Sequence, residues 1–219
     1  MAIGLLSLVS VDAMNKKKII YVWDPLCGWC YGFEPQMEKV QAEFGDGYEF
    51  EVIVGGMVLP PNGYNMAQMR QFLKGAIPQL EKTTGIKIGQ PYYNNILSQD
   101  SLKLYSVKPA LVYNYLKPKY AGREVILANT IQKMLYEHGQ NTNEIETYKA
   151  LIESNGISFS EAKAKIDGKE NVDATYQMFQ RSRALGVTGY PAVLMETDKG
   201  IKTVSSGFIT YEKLRKQLD

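Results

Sequence analysis

A strand-like run that leads directly into a cysteine pair and a helix is the feature that most constrains this chain. Residues 18–23 (KIIYVW) are β-branched and aromatic, which predicts a buried strand that Asp24-Pro25 ends. Apolar side chains then recur in steps of three and four, which predicts one face of a helix. They are Cys30, Phe33, Met37, Val40 and Phe44. The order strand then helix predicts an α/β fold.

The rest of the pattern separates two ends that contain strands from a long helical block. Residues 17–64 predict a strand, a helix and a second strand, whereas residues 186–219 predict two strands and a last helix. Residues 65–185 have helical periodicity throughout, and Ser158-Phe159-Ser160-Glu161 predicts a capping box within them. His138 closes one apolar stripe of this block, and we expect no catalytic role for it.

The first residues stand apart from the fold. Residues 1–16 are mildly apolar, but the lysines follow the apolar run instead of preceding it, which is the wrong order for a secretory signal. We therefore expect a disordered extension, or an alternative start at Met14, and not a secreted protein.

Composition and charge exclude several classes of function. Lys and Arg number 25 against 23 Asp and Glu, a net charge of +2 that gives no electrostatic case for nucleic acid. No apolar run approaches the roughly 20 residues that a membrane-spanning helix needs. The expected partners therefore include neither nucleic acid nor a membrane, and the default expectation is a monomer because no separate dimerisation segment is evident.

The only two cysteines form the motif Cys27-Gly28-Trp29-Cys30 at the predicted start of the helix. A helix N-terminus stabilises an anion, so Cys27 is the expected attacking thiolate. Cys30 lies one turn later on the apolar stripe and is the expected buried, resolving thiol. A zinc site needs four ligands and the chain has one histidine, so no metal or other cofactor is expected. The low cysteine count fits a reducing cytoplasm, which is the expected location.

A second motif, Gly189-Tyr190-Pro191, comes immediately before the strand predicted at residues 192–195. Taken together with the CGWC motif after a strand and with Pro35 five residues beyond it, this pattern resembles the thioredoxin fold. The helical block resembles the DsbA branch of that fold, and within it the FrnE-like, predicted disulfide-isomerase members. The strings that carry this closer resemblance are DPLCGWCYG at 24–32, GGM at 55–57 and SVKPA at 106–110.

The resemblance implies a thioredoxin-fold domain at 17–64 and 186–219, with a large all-helical insertion at 65–185 between the second strand and a cis-proline loop. It implies a cis Tyr190–Pro191 bond that faces the cysteines and leaves the backbone of Gly189 and Tyr190 free for an extended substrate. Trp29 joins Gly189, Tyr190 and Pro191 as an expected substrate-binding residue.

The resemblance also assigns redox tuning to Gly28, Trp29 and Pro191. Disulfide oxidants of the DsbA branch carry a histidine at the position of Trp29, and tryptophan cannot stabilise the thiolate in the same way. The resemblance therefore implies a more reducing couple than that of those oxidants.

The expected function is thiol–disulfide oxidoreduction, either as an isomerase or as a reductase, on disulfide-containing proteins or small-molecule thiols. Glutathione or thioredoxin is the expected electron partner. Two alternatives stay open. Related proteins with this fold include glutathione transferases and isomerases that use a serine in place of the first cysteine, and protease adaptors whose cysteine pair need not turn over.

Overall fold

The computed structural model describes residues 16–218, so the extension expected at residues 1–16 lies almost wholly outside the described residues. The strands are β1 (Lys18–Trp23), β2 (Glu49–Val54), β3 (Tyr64–Asn65), β4 (Lys103–Leu104), β5 (Ala192–Thr197) and β6 (Gly200–Ser206). The helices are α1 (Gly28–Phe44), α2 (Met66–Thr84), α3 (Gln90–Tyr92), α4 (Val107–Leu116), α5 (Glu124–Tyr136), α6 (Lys149–Ser154), α7 (Phe159–Ile166), α8 (Lys169–Ala184) and α9 (Tyr211–Leu218). The predicted α/β class is confirmed.

Four strands form the central sheet in the order β2-β1-β5-β6. β1 is parallel to β2, with Lys18 opposite Glu49 and Trp23 opposite Val54, whereas β5 is antiparallel to both β1 and β6. This mixed sheet is the thioredoxin topology that the resemblance implies. The parallel pair places the end of β1 beside the end of β2. The cysteine loop, residues 24–27, begins at this end of β1 and leads into α1.

The two faces of β1 enter two different cores, because successive strand side chains point to opposite sides. Ile19, Tyr21 and Trp23 pack with α1 in the larger core, whereas Ile20 and Val22 lie in a smaller core on the other face. A strand buried on both faces reads as a continuous apolar run, which is why residues 18–23 have no alternation.

The helix α1 forms as predicted and contains Pro35. Its side toward the sheet consists of Cys30, Phe33, Met37 and Val40, each with no exposed surface. The predicted apolar stripe therefore becomes the face that fixes α1 on the sheet, and with it the position of the cysteines at its first turn.

The segment expected to be all-helical contains one short sheet as well. β3 and β4 pair antiparallel, with Tyr64 opposite Leu104 and Asn65 opposite Lys103. Each strand has only two residues, too few for a period-two pattern to appear in the sequence. The ribbon joins the start of α2 to the segment before α4.

Two local predictions within this segment are wrong. The capping box at Ser158 does not form, since the Ser158 hydroxyl lies 2.9 Å from the Ser160 hydroxyl and makes no capping hydrogen bond to α7. His138 does not close a buried stripe, because α5 ends at Tyr136 and the histidine is exposed beyond it.

The helix α8 covers the second face of the sheet. Met178 of α8 packs against the core that contains Ile20 and Val22, and Phe179 reaches the larger core. The guanidinium of Arg181 donates two hydrogen bonds to the Glu51 carboxylate of β2, each 2.8 Å long. A helix inside the predicted insertion thus completes the helix–sheet–helix layering.

Candidate active site

Cys27 is the N-cap residue of α1 and has extended backbone angles, φ −88° and ψ 105°. Its sulfur accepts a hydrogen bond from the backbone N–H of Cys30 at 3.2 Å, one of the N–H groups at the start of the helix. The predicted placement of Cys27 at the start of a helix is therefore confirmed. An N–H group aimed at the sulfur stabilises it as an anion.

Cys30 lies directly behind Cys27 in the core. Both thiols are free, and Cys30 has no exposed surface, whereas 5% of Cys27 is exposed. Burial raises the pKa of the Cys30 thiol well above its usual range, and its hydrogen bond with Cys27 acts in the same direction. A protonated buried thiol behind a more accessible sulfur is the arrangement that an attacking and a resolving cysteine require.

The loop before β5 closes the site from the opposite side. The Tyr190–Pro191 bond is cis, as predicted. The Cys27 thiol donates to the backbone oxygen of Tyr190 at 3.4 Å. Gly189 is partly exposed with open space where a side chain would stand, so its backbone is accessible beside the sulfur.

The Tyr190 ring fixes this loop on Gly55, at the end of β2. Its hydroxyl donates to the Gly55 carbonyl at 3.0 Å, and a Cβ at Gly55 would collide with the ring. The next residue, Gly56, has φ +70°, a conformation that favours glycine. Gly55 thus lets the tyrosine ring approach the backbone closely, and Gly56 does the same for the ring of Phe179.

A buried carboxylate joins three loops beneath the cysteines. Asp24 accepts hydrogen bonds from the backbone N–H of Leu26 at 2.9 Å, the backbone N–H of Met57 at 2.6 Å and the hydroxyl of Ser106 at 2.8 Å. Burial raises its pKa to about 6, although these hydrogen bonds oppose the shift. The DPLCGWC, GGM and SVKPA strings therefore meet at one side chain.

Gln132 and Tyr136 of α5 also reach the cysteine loop. The Gln132 amide donates to the backbone oxygens of Asp24 and Cys27, and the Tyr136 hydroxyl donates to that of Leu26. The sequence gives no sign of these contacts, since both residues read as ordinary positions of a helix. Only Asp24 and Ser106 carry a signal, because both stand in strings that resemble the family.

An apolar cavity of about 240 Å³ opens beside Cys27, between the cysteine loop and α2. Cys27, Trp29 and Tyr190 line one side of it, and Met57, Met66 and Phe72 are among the side chains of the other walls. Every residue that lines it is uncharged. Trp29 has 37% of its surface exposed and Phe72 has 65%, so both stand at the rim.

Residues 16–218 contain neither a cluster of metal ligands nor a membrane-spanning helix. No three side chains of His, Cys, Asp or Glu come together as metal ligands there. No helix of that range has the length and apolar character to cross a bilayer.

The comparison with protein families decides the relationship. The family described as the DSBA-like thioredoxin domain matches residues 18–219. The chain belongs to this family. The match extends over the whole described fold, including the helical segment that the resemblance covered by pattern alone.

Solved structures of DsbA-like proteins have the same fold. A candidate protein disulfide isomerase from Nitrosomonas europaea superposes with a TM-score of 0.79 at 22% identity, over 94% of this chain and 97% of that one. The cytosolic disulfide reductase DsbM from Pseudomonas aeruginosa superposes with a TM-score of 0.70 at 23% identity, over 86% and 89% of the two chains.

A curated relative is named for a different role. The ClpXP adapter protein SpxH from Halalkalibacterium halodurans is 26% identical over 214 residues, which cover 91% of this chain and 68% of the relative. The proteins similar to this chain therefore include ones named for disulfide chemistry and one named as a protein adaptor.

Proposed function

We propose that this DsbA-like protein is a thiol–disulfide oxidoreductase in which Cys27 attacks and Cys30 resolves. The observation that carries the proposal is the placement of the two sulfurs. Cys27 receives an N–H at the start of α1 and borders an open cavity, whereas Cys30 is sealed in the core behind it. A structural disulfide across two residues would close almost no loop and would stabilise the fold little.

In the proposed reaction the Cys27 thiolate attacks one sulfur of a substrate disulfide. A Cys27–substrate bond forms as the substrate S–S bond breaks, and the second substrate sulfur leaves as a thiolate that takes up a proton. Cys30 then loses its proton and attacks the Cys27 sulfur, which releases the first substrate thiol. The pair is oxidised to a disulfide, the substrate gains two electrons, and a dithiol or glutathione must reduce the pair for another cycle.

The cavity beside Cys27 favours an apolar substrate group. Its walls are uncharged, and the rim residues Trp29 and Phe72 expose aromatic surface at the same cavity that Cys27 lines. Glutathione carries several charges that such a wall cannot pair. We therefore propose a polypeptide disulfide with an apolar side chain near its cysteine as the substrate, held by the backbone of Gly189 and Tyr190.

The proposal also covers the electron donor and the cellular compartment. Glutathione or thioredoxin remains our proposed electron donor. DsbM from Pseudomonas aeruginosa has also been solved with GSH. We propose the cytoplasm as the compartment because only two cysteines are present, both in the motif, and we propose a monomer.

The decisive experiment is the reduction potential of the Cys27–Cys30 pair in graded glutathione buffers, read by alkylation and mass spectrometry. A potential near that of thioredoxin, about −270 mV, supports a reductant, and one near that of DsbA, about −120 mV, supports an oxidant. Cys30→Ser should accumulate mixed disulfides on Cys27, and Cys27→Ser should form none. A wild-type pair that never equilibrates with glutathione would overturn the proposal.

The second candidate is a protein adaptor, favoured by the match to the SpxH adapter. An adaptor needs a surface and not a redox cycle. The double variant Cys27→Ser, Cys30→Ser separates the two, because an adaptor keeps its partner whereas an oxidoreductase loses all exchange activity. The alternative of a glutathione transferase or a related serine-containing isomerase is weaker, since this chain keeps a cysteine where those enzymes use a serine.

A further inference from the structure

One face of α5 binds the cysteine loop from outside the thioredoxin strands. The side-chain nitrogen of Gln132 donates to the backbone oxygens of Asp24 and Cys27, both at 3.1 Å. One turn later, the Tyr136 hydroxyl donates to the backbone oxygen of Leu26 at 2.7 Å. The insertion therefore binds three of the four backbone carbonyls that lead from β1 into α1.

Gln132 is not needed to satisfy these carbonyls. The oxygen of Asp24 already accepts from the N–H of Cys27 at 3.1 Å, and the oxygen of Cys27 already accepts from the N–H of Tyr31 at 3.1 Å. Gln132 itself is 1% exposed, and its side-chain oxygen has no hydrogen-bond partner among the described residues. A buried acceptor without a partner costs stability, so an apolar side chain would fit the fold at least as well.

The Gln132 amide therefore has its effect on the cysteines and not on the stability of the fold. The Gln132 amide donates to carbonyl oxygens at both ends of the loop that holds the Cys27 sulfur. The Tyr190 carbonyl, 3.4 Å from that sulfur, adds to them. Hydrogen bonds donated to these oxygens withdraw negative potential from the site and favour the thiolate over the disulfide.

We propose that Gln132 is a positioning residue that sets the redox equilibrium of Cys27 and Cys30. It holds the loop in the N-cap conformation and places two N–H dipoles beneath it, while Tyr136 supplies a third contact. This inference rests on the proposed exchange function of the same cysteine pair.

The test replaces Gln132 by methionine, which keeps the length of the side chain and removes both donors. With the thiolate less favoured, the disulfide forms more readily, and its equilibrium constant against glutathione should rise about three- to tenfold, where tenfold corresponds to about 30 mV. Tyr136→Phe should shift the constant in the same direction by less. This variant keeps the ring stacked on Tyr31 at 5.1 Å.

Asn129→Leu is the matched control. Asn129 is also a buried amide of α5 with an unpaired oxygen, but it donates to Glu38 at 2.7 Å and not to the cysteine loop. Asn129→Leu should leave the equilibrium constant against glutathione within about twofold of the wild-type value. An unchanged constant in Gln132→Met, or an equal shift in Asn129→Leu, overturns the inference.

Two further measurements apply when this comparison cannot be made. If Gln132→Met does not fold, Tyr136→Phe against Asn129→Leu decides the matter in the same assay. If the wild-type pair never equilibrates with glutathione, the proposed function fails, and thiolate absorbance across pH then tests Gln132 independently. In that assay Gln132→Met must form the thiolate at a higher pH than wild type, and no change sinks the inference.

Discussion

The Cys27 thiol donates to the backbone oxygen of Tyr190, 3.4 Å away, although 163 residues separate the two. The Tyr190 side chain reaches in the other direction and rests on Gly55, to which its hydroxyl donates. A single residue thus sets the distance between the attacking sulfur and the end of β2. Anything that moves the ring also moves the carbonyl that faces the sulfur.

We expect Gly55→Ala to impair exchange. The added Cβ would overlap the Tyr190 ring, which has to shift and takes its carbonyl away from Cys27. Overpacking of this kind costs about 1 to 3 kcal/mol in the free energy of unfolding, and a displacement at the site lowers the exchange rate on the order of tenfold to a hundredfold. Denaturant unfolding and the rate of disulfide reduction measure the two effects.

Gly75→Ala is the control for this substitution. Gly75 lies in α2, with open space around the position of a Cβ. Alanine there should stabilise the protein by about 0.5 to 1 kcal/mol and leave the exchange rate unchanged. Wild-type exchange rates in Gly55→Ala would show that the tyrosine ring does not position the sulfur.

The pKa of Asp24 predicts a loss of stability as the pH rises. Burial raises this pKa to about 6 in the folded protein, from 3.8 for an ordinary aspartate. The folded state therefore holds the proton more tightly than the unfolded state, and stability present below about pH 4 is lost as the pH passes 6, by about 3 kcal/mol. Asp24→Asn has no proton to lose at this position.

The difference in unfolding free energy between wild type and Asp24→Asn should therefore fall by about 2 to 2.5 kcal/mol from pH 4 to pH 7. Urea unfolding at several pH values measures it. Asp167→Asn serves as the control, because this carboxylate is half exposed and pairs with Lys108. A wild-type advantage that stays constant with pH would refute the assignment of the titration to Asp24.

Replacing the buried carboxyl of Glu34 by a neutral side chain should stabilise the protein. Glu34 lies one turn beyond Cys30 with 4% of its surface exposed, and one carboxyl oxygen has no hydrogen-bond partner among the described residues. Burial raises its pKa to about 9, and Glu38 and Glu137 act in the same direction against Lys133. The stability that the protonated form provides is complete below pH 4.5 and is lost as the pH rises toward 9.

Glu34→Gln keeps the shape and cannot ionise. We expect it to be more stable than wild type at about pH 8, by about 1 to 4 kcal/mol, with a smaller advantage at about pH 6. Thermal or urea unfolding at both pH values measures this. Glu153→Gln, an exposed change on α6, should be close to neutral. A destabilised Glu34→Gln at pH 8 would contradict the buried, unpaired carboxyl.

The sequence predicts the parts of the site that local rules govern. A β-branched run before Asp24-Pro25 and apolar spacing from Cys30 onward place the cysteine pair at a strand-to-helix junction, and the structure has it there. Gly189 to Pro191 before β5 is local in the same sense. These features depend on neighbours a few residues apart, for which periodicity and turn residues are informative.

The contacts that complete the site come from distant segments and leave no local pattern. Gln132 lies 105 residues from Cys27, and an amide in an amphipathic helix has no feature that marks a buried donor. The cap predicted at Ser158 fails for a similar reason, although the competing partner is close in sequence. The Ser158 hydroxyl pairs with the Ser160 hydroxyl instead of capping the helix. Which partner a polar side chain takes is decided by packing, and packing is a property of the whole fold.

The exposed ring of Phe72 predicts substrate preference. With 65% of its surface exposed, it contributes little to the fold, but it lines the rim of the cavity beside Cys27. Phe72→Ala should change the free energy of unfolding by less than about 0.5 kcal/mol. It should raise KM about three- to tenfold for a peptide disulfide with leucine beside its cysteine, because part of the apolar contact is lost.

A matched peptide with aspartate in place of leucine should react poorly with wild type and should lose little more with Phe72→Ala, since it gains nothing from the ring. Ile201→Ala is the control variant, because Ile201 is 48% exposed on β6 and lies outside the cavity lining. Equal KM values for the two peptides in wild type, or an equal rise with Ile201→Ala, would mean that the cavity does not select the substrate.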